Sequence, residues 1–104
     1  MNEFAYTLNP EEELLMVEKT FTITDPAGMH ARPASALVGS LAKFQSDITM
    51  EFKGKKVNLK SILGVMSLGI PSGSDVVIAA DGPDEEEALA SIEQTLKAEG
   101  ISNG

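Results

Sequence analysis

The chain has 104 residues, 16 of them acidic and 8 basic, with a net charge of −8, which is the size of one domain. It has no cysteine and a single histidine, His30; this excludes disulfides, thiolate metal sites and thiol catalysis, and it excludes a His-rich metal centre or a two-histidine acid/base pair. The acidic balance argues against nucleic acid, which needs clustered Lys and Arg. No apolar run approaches the ~18 residues of a membrane span and no signal-peptide pattern opens the chain, so a cytoplasmic protein without membrane insertion is the expectation.

Residues 1 to 15 carry four Glu and no basic residue, with Pro10 and the run Glu11-Glu12-Glu13. They show no sustained period and read as a disordered extension. Three purine-rich Glu codons shortly before Met16 resemble a translated ribosome-binding site. Met16 is therefore the expected native start, with 16–104 as one domain; an artificially added tail or a real extension are the alternatives for residues 1 to 15.

From Val17 the pattern is dense. Phe21 and Ile23 alternate with Thr20 and Thr22, a half-buried strand. Asp25-Pro26-Ala27-Gly28 is turn chemistry. Residues 31 to 43 switch to helical spacing, with Ala34, Leu37, Val38 and Leu41 on one stripe. Ile48, Met50 and Phe52 alternate with polar residues as a second strand. Lys53-Gly54 then signals a tight hairpin into a third strand over 55–59. Ser61 is a good cap for a short helix reaching Met66. Asp75 to Ala80 is a fourth strand, apolar enough to lie centrally. Asp84, with Glu87 three residues on, resembles a capping box, opening a helix that Gly100 stops. The order βαββαβα implies an α+β fold: an open-faced two-layer sandwich, one four-stranded antiparallel sheet with three helices on one face.

Gly28-Met29-His30-Ala31-Arg32-Pro33 joins the first strand to the first helix. His30 falls at the N-cap, Ala31 at N1, Arg32 at N2 and Pro33 at N3. A helix start leaves N–H groups unpaired and carries partial positive charge, which suits an anion. Pro33 lacks an N–H where that loss costs least. Arg32 adds a planar cation that matches phosphate. Imidazole is largely neutral and nucleophilic at cellular pH, so transient phosphorylation of the ring is the chemistry this arrangement favours. A histidine at a helix start also serves as a plain surface residue or cap.

The second informative stretch is Lys60-Ser61-Ile62-Leu63-Gly64-Val65-Met66-Ser67-Leu68-Gly69. Ser61 is at minimum a cap. Ile62, Leu63, Val65 and Met66 exceed what a two-turn helix can bury, so some are expected to stay exposed as a docking patch. Phosphorylating Ser61 would add about −1.5 to −2 charges beside that patch, at a helix end that tolerates them.

Together these two motifs, about thirty residues apart, make residues 17 to 100 resemble HPr, the histidine-containing phosphocarrier family of the bacterial phosphoenolpyruvate-dependent sugar phosphotransferase system. The resemblance implies the following roles. His30 is phosphorylated on Nδ1 by enzyme I and hands the group to enzyme IIA domains. Arg32 contacts the phosphoryl group, and the amides of Ala31 and Arg32 help hold it. Ser61 is phosphorylated by the ATP-dependent HPr kinase/phosphorylase, which lowers transfer at His30 and favours a catabolite-control repressor. Ile62, Leu63 and Met66 dock partners. The wording around Ser61 looks like that of low-GC Gram-positive bacteria. The family implies a stoichiometric, monomeric carrier without metal or cofactor. Ala27 departs from the small polar residue common before the glycine, and residues 1 to 15 have no counterpart.

Some relatives keep the serine, lack the histidine and act only as corepressors. Such a purely regulatory module acting through Ser61 is the alternative, and His30 speaks against it. A carrier in a nitrogen-regulatory pathway fits the apolar Ser61 helix less well. A structural domain whose His30 merely caps a helix predicts no phosphorylation at all.

Overall fold

The computed structural model describes residues 17–102; the expected extension, 1–15, and the candidate start at Met16 lie outside the described residues. Seven elements follow in chain order: β1 (Val17–Thr22), α1 (Ala31–Leu41), β2 (Asp47–Phe52), β3 (Lys55–Asn58), α2 (Ile62–Ser67), β4 (Asp75–Asp81) and α3 (Glu85–Ala98). The strands form one antiparallel sheet in the order β1-β4-β2-β3. This is the α+β open-faced sandwich expected from the element order.

Alternation decides which sheet face is covered. Ile48, Met50 and Phe52 of β2 and Val76, Ile78 and Ala80 of β4 point to one side and are buried. Their register sets Met50 beside Ile78 and Ile48 beside Ala80. Helical spacing supplies the facing layer: Ala34, Leu37 and Leu41 from α1, Val65 from α2, and Ala88, Ile92 and Leu96 from α3. Burying each Val, Leu, Ile, Phe or Met side chain among these contributes ~1.5–3 kcal/mol. The β2–β3 turn puts Lys53 and Gly54 both at positive φ, the geometry that lets a two-residue hairpin follow the sheet's twist. Lys19 on β1 forms an ion pair with Glu93 on α3.

Helix starts differ from one another. Asp84 precedes α3 as expected, but its side chain makes no capping bond there. Its carboxylate instead accepts from the Gln45 and Ser46 amides and the Ser46 hydroxyl, and so ties the α1–β2 connection to the start of α3. The Ser46 hydroxyl first, then the Gln45 amide, hold the Asp84 carboxyl below its ordinary value. Glu85, not Glu87, reaches back to a preceding amide, that of Gly82 at 3.1 Å. A capping box is a local pattern, and here a partner 38 residues away competes for the carboxylate more successfully.

Candidate functional site

The loop from β1 to α1 is fastened at every step. The Asp25 amide donates to the Ile101 carbonyl at 3.2 Å, and the Gly28 amide to the Asp25 carbonyl at 2.8 Å. The Asp25 carboxylate accepts from the Ala27 amide at 2.9 Å, an Asx turn. The Met29 amide then donates to the Ile70 carbonyl at 2.9 Å, so the loop is docked on the segment that follows α2. Gly28 sits at φ +73, and a Cβ there would lie 2.4 Å from the Ile70 oxygen. Only glycine combines that φ with that approach.

His30 emerges from this loop as the residue before α1, with extended backbone at φ −102 and ψ −168. Its side chain makes no capping hydrogen bond and is 41% exposed. The Ala34 amide returns to the His30 carbonyl at 3.0 Å. Pro33, buried beneath, has no N–H. The amides of Ala31 and Arg32 are therefore the donors left at this helix end. Ala31 and Arg32 are exposed, and Arg32 has no ion-pair partner among the described residues. The first turn carries no acidic side chain. His30, two free amides and a guanidinium thus share one open helix end, an arrangement that can receive a phosphoryl group and release it again.

Ser61 stands at the corresponding place before α2. Its Oγ accepts from the Gly64 amide at 3.0 Å, and its carbonyl accepts from Val65 at 3.0 Å. Gly64 makes room: a Cβ there would lie 3.3 Å from the Ser61 Oγ. Lys60 reaches the Phe44 carbonyl at 2.6 Å, joining this start to the end of the α1 segment. The α2 helix buries only Val65, leaving Ile62, Leu63 and Met66 exposed, Leu63 at 81%. These are the three side chains the sequence assigns to docking, and they form a continuous apolar face beside Ser61.

Among the described residues, the depressions between other elements include neither His30 nor Ser61. A depression of about 570 Å³ lies away from both, between Lys43, Phe44, Asp84 and Gln94. Asp25 is the residue near His30 that the sequence pattern leaves as a turn former; its second carboxylate oxygen lies 3.8 Å from His30 Nε2. The signal available beforehand was a carboxylate five residues upstream, across a Pro-Ala-Gly turn. Among the described residues no helix is long and apolar enough to cross a membrane.

Residues 17–98 match the family model for the PTS HPr component phosphorylation site. Among solved structures, the chain is similar to the histidine-containing phosphocarrier protein of Mycoplasma: 41% identity, 85% of this chain and all of that one covered, TM-score 0.82. Phosphocarrier protein HPr of Bacillus anthracis is 42% identical over 77% of this chain and 95% of that chain, with a TM-score of 0.72. Crh, the catabolite repression protein of Bacillus subtilis, is 40% identical over 80% of this chain and 95% of that chain, with a TM-score of 0.64; its crystal structure is described as a domain-swapped dimer.

Proposed function

The chain belongs to the HPr family of phosphotransferase-system phosphocarriers, and from that premise we propose that His30 is its phosphoryl acceptor, charged by enzyme I and discharged to sugar-specific enzyme IIA domains. The observation that carries this reading is the open start of α1: an exposed imidazole without a capping bond, beside two free amides and Arg32. The Ala31 and Arg32 amides and the Arg32 guanidinium face the phosphoryl oxygens, where donors stabilise charge as it arrives. One cation and two amides stabilise phosphohistidine without trapping it. The carrier turns over no substrate of its own, holds no cofactor in this reading and works as a cytoplasmic monomer.

Ser61 is the regulatory site in the same reading, modified by HPr kinase/phosphorylase. Its hydroxyl borders the exposed face of Ile62, Leu63 and Met66, so the added charge alters the docking surface while the helix end tolerates it. Transfer through His30 falls, and binding to a catabolite-control repressor rises. A purely regulatory reading, with Ser61 as the working residue, is favoured by the 40% identity to Crh. It leaves the open helix end and His30 without a role.

The deciding experiment is an intact mass after incubation with phosphoenolpyruvate, Mg²⁺ and enzyme I, beside a His30→Ala variant. The expected result is one acid-labile phosphoryl adduct on the wild-type chain and none on the variant. An adduct of equal yield on both sinks the assignment of His30. No adduct on either, from an enzyme I active on another acceptor, favours the regulatory reading.

A further inference from the structure

The Asx turn before His30 fixes a carboxylate with one oxygen left over. Asp25 Oδ1 is occupied by the Ala27 amide at 2.9 Å. Oδ2 faces His30 Nε2 at 3.8 Å, and the Asp25 side chain is only 17% exposed against 41% for the ring. The backbone on both sides is bolted down, Asp25 to Ile101 and Met29 to Ile70. The two side chains therefore meet by construction. At 3.8 Å the contact is longer than a hydrogen bond, and a small rotation of the ring closes it into one.

We propose that Asp25 is a positioning residue for His30: its carboxylate keeps the imidazole in the Nε2–H form, turned so that Nδ1 presents its lone pair at the open end of α1. In a neutral imidazole, the partner of one nitrogen decides which nitrogen carries the proton. A carboxylate accepts and cannot donate, so the nitrogen it faces holds the proton.

The second half of the argument rests on the reading of His30 as phosphoryl acceptor. The Nδ1 lone pair forms the new N–P bond while the donor's bond to phosphorus breaks and its electron pair stays with the donor. The proton on Nε2 does not leave. The ring thereby gains a positive charge, and the Asp25 carboxylate lies against the nitrogen on the far side from the phosphoryl group. That charge exists only once transfer is under way, so a fixed carboxylate favours the transition state over the resting ring.

The test uses the tag-free chain, whose one histidine makes the ring ¹⁵N signals unambiguous. The variant is Asp25→Asn, which keeps an oxygen for the Ala27 amide and removes the charge. Asp25→Ser is a second uncharged variant that also retains a turn acceptor. Ring ¹⁵N spectra are recorded at about pH 8, where imidazole is neutral. The wild type is expected to show the Nε2–H form, and both variants a shift toward Nδ1–H, with backbone amide spectra unchanged outside the loop. Acceptance rates from enzyme I are expected to fall about tenfold, the lower end for loss of a histidine's orienting partner, given the exposed ring. Ring signals that are the same in wild type and variants, or a wild-type ring in the Nδ1–H form, overturn the proposal. The ring spectra need no donor, so they decide the role of Asp25 even if the wild-type chain accepts nothing and the carrier reading fails.

Discussion

His30 and Ser61 each stand one residue before a helix, each with extended backbone (φ −102, ψ −168 and φ −113, ψ 115). Ser61 closes its helix by accepting from the Gly64 amide, while His30 leaves its own helix open. Stability alone favours closure at both. The open end of α1 makes sense as a place where a visiting anion completes the cap and then departs. The closed end of α2 suits the modification proposed for Ser61: its hydroxyl is already seated, and Ile62, Leu63 and Met66 lie exposed beside it. In the proposed reading, similar starting geometry serves a transit site in one case and a switch in the other.

The sharpest way to break this comparison is to close α1. His30→Ser places a capping hydroxyl on a backbone already extended for it. Phosphoryl acceptance from enzyme I is expected to disappear, while stability to urea rises by about 0.5–1 kcal/mol, as a good N-cap provides. A variant that is no more stable would show that α1 was not open at all. The converse change opens α2. Ser61→Ala removes the acceptor for the Gly64 amide, with an expected loss of about 1 kcal/mol, seen as a lower urea midpoint with unchanged slope; initial acceptance at His30 stays intact.

The smallest effect concerns the third helix start, where Asp84 is diverted to Ser46 and Gln45. Its carboxyl is held below the ordinary value of 3.8 by those donors. A group depressed on folding stabilises the fold fully above its unfolded value and loses that contribution as pH falls through the folded one. Stability should therefore decline below about pH 4 in the wild type, and the decline should be shallower in Asp84→Asn. Thermal melts across that window measure it.

Much of this was legible beforehand. The alternation of Ile48, Met50 and Phe52 placed β2, and the near-continuous apolar run in β4 placed that strand inside the sheet. The exposed face of α2 followed from arithmetic: six residues cannot bury four large apolar side chains, and Val65 alone is buried. The position of His30 at the helix start followed from Pro33, which tolerates only the first turn. What escaped depends on distance in sequence. Asp84 has the right residue type and spacing for a cap, yet Ser46 takes it. Lys60 reads as part of a motif, while its ammonium binds the Phe44 carbonyl. Asp25 reads as a turn former, because its turn bond is local and its approach to His30 depends on how Gly28 bends the loop.

The bond from the Met29 amide to the Ile70 carbonyl has a consequence for the order of events when the protein is made. A chain emerging from the ribosome presents His30 long before Ile70 exists, and β4, which must slip between β1 and β2, is the last strand to appear. The nascent chain has the histidine without the loop that holds it. In the proposed reading of His30, competence to take a phosphoryl group therefore waits until Ile70 and β4 have been made.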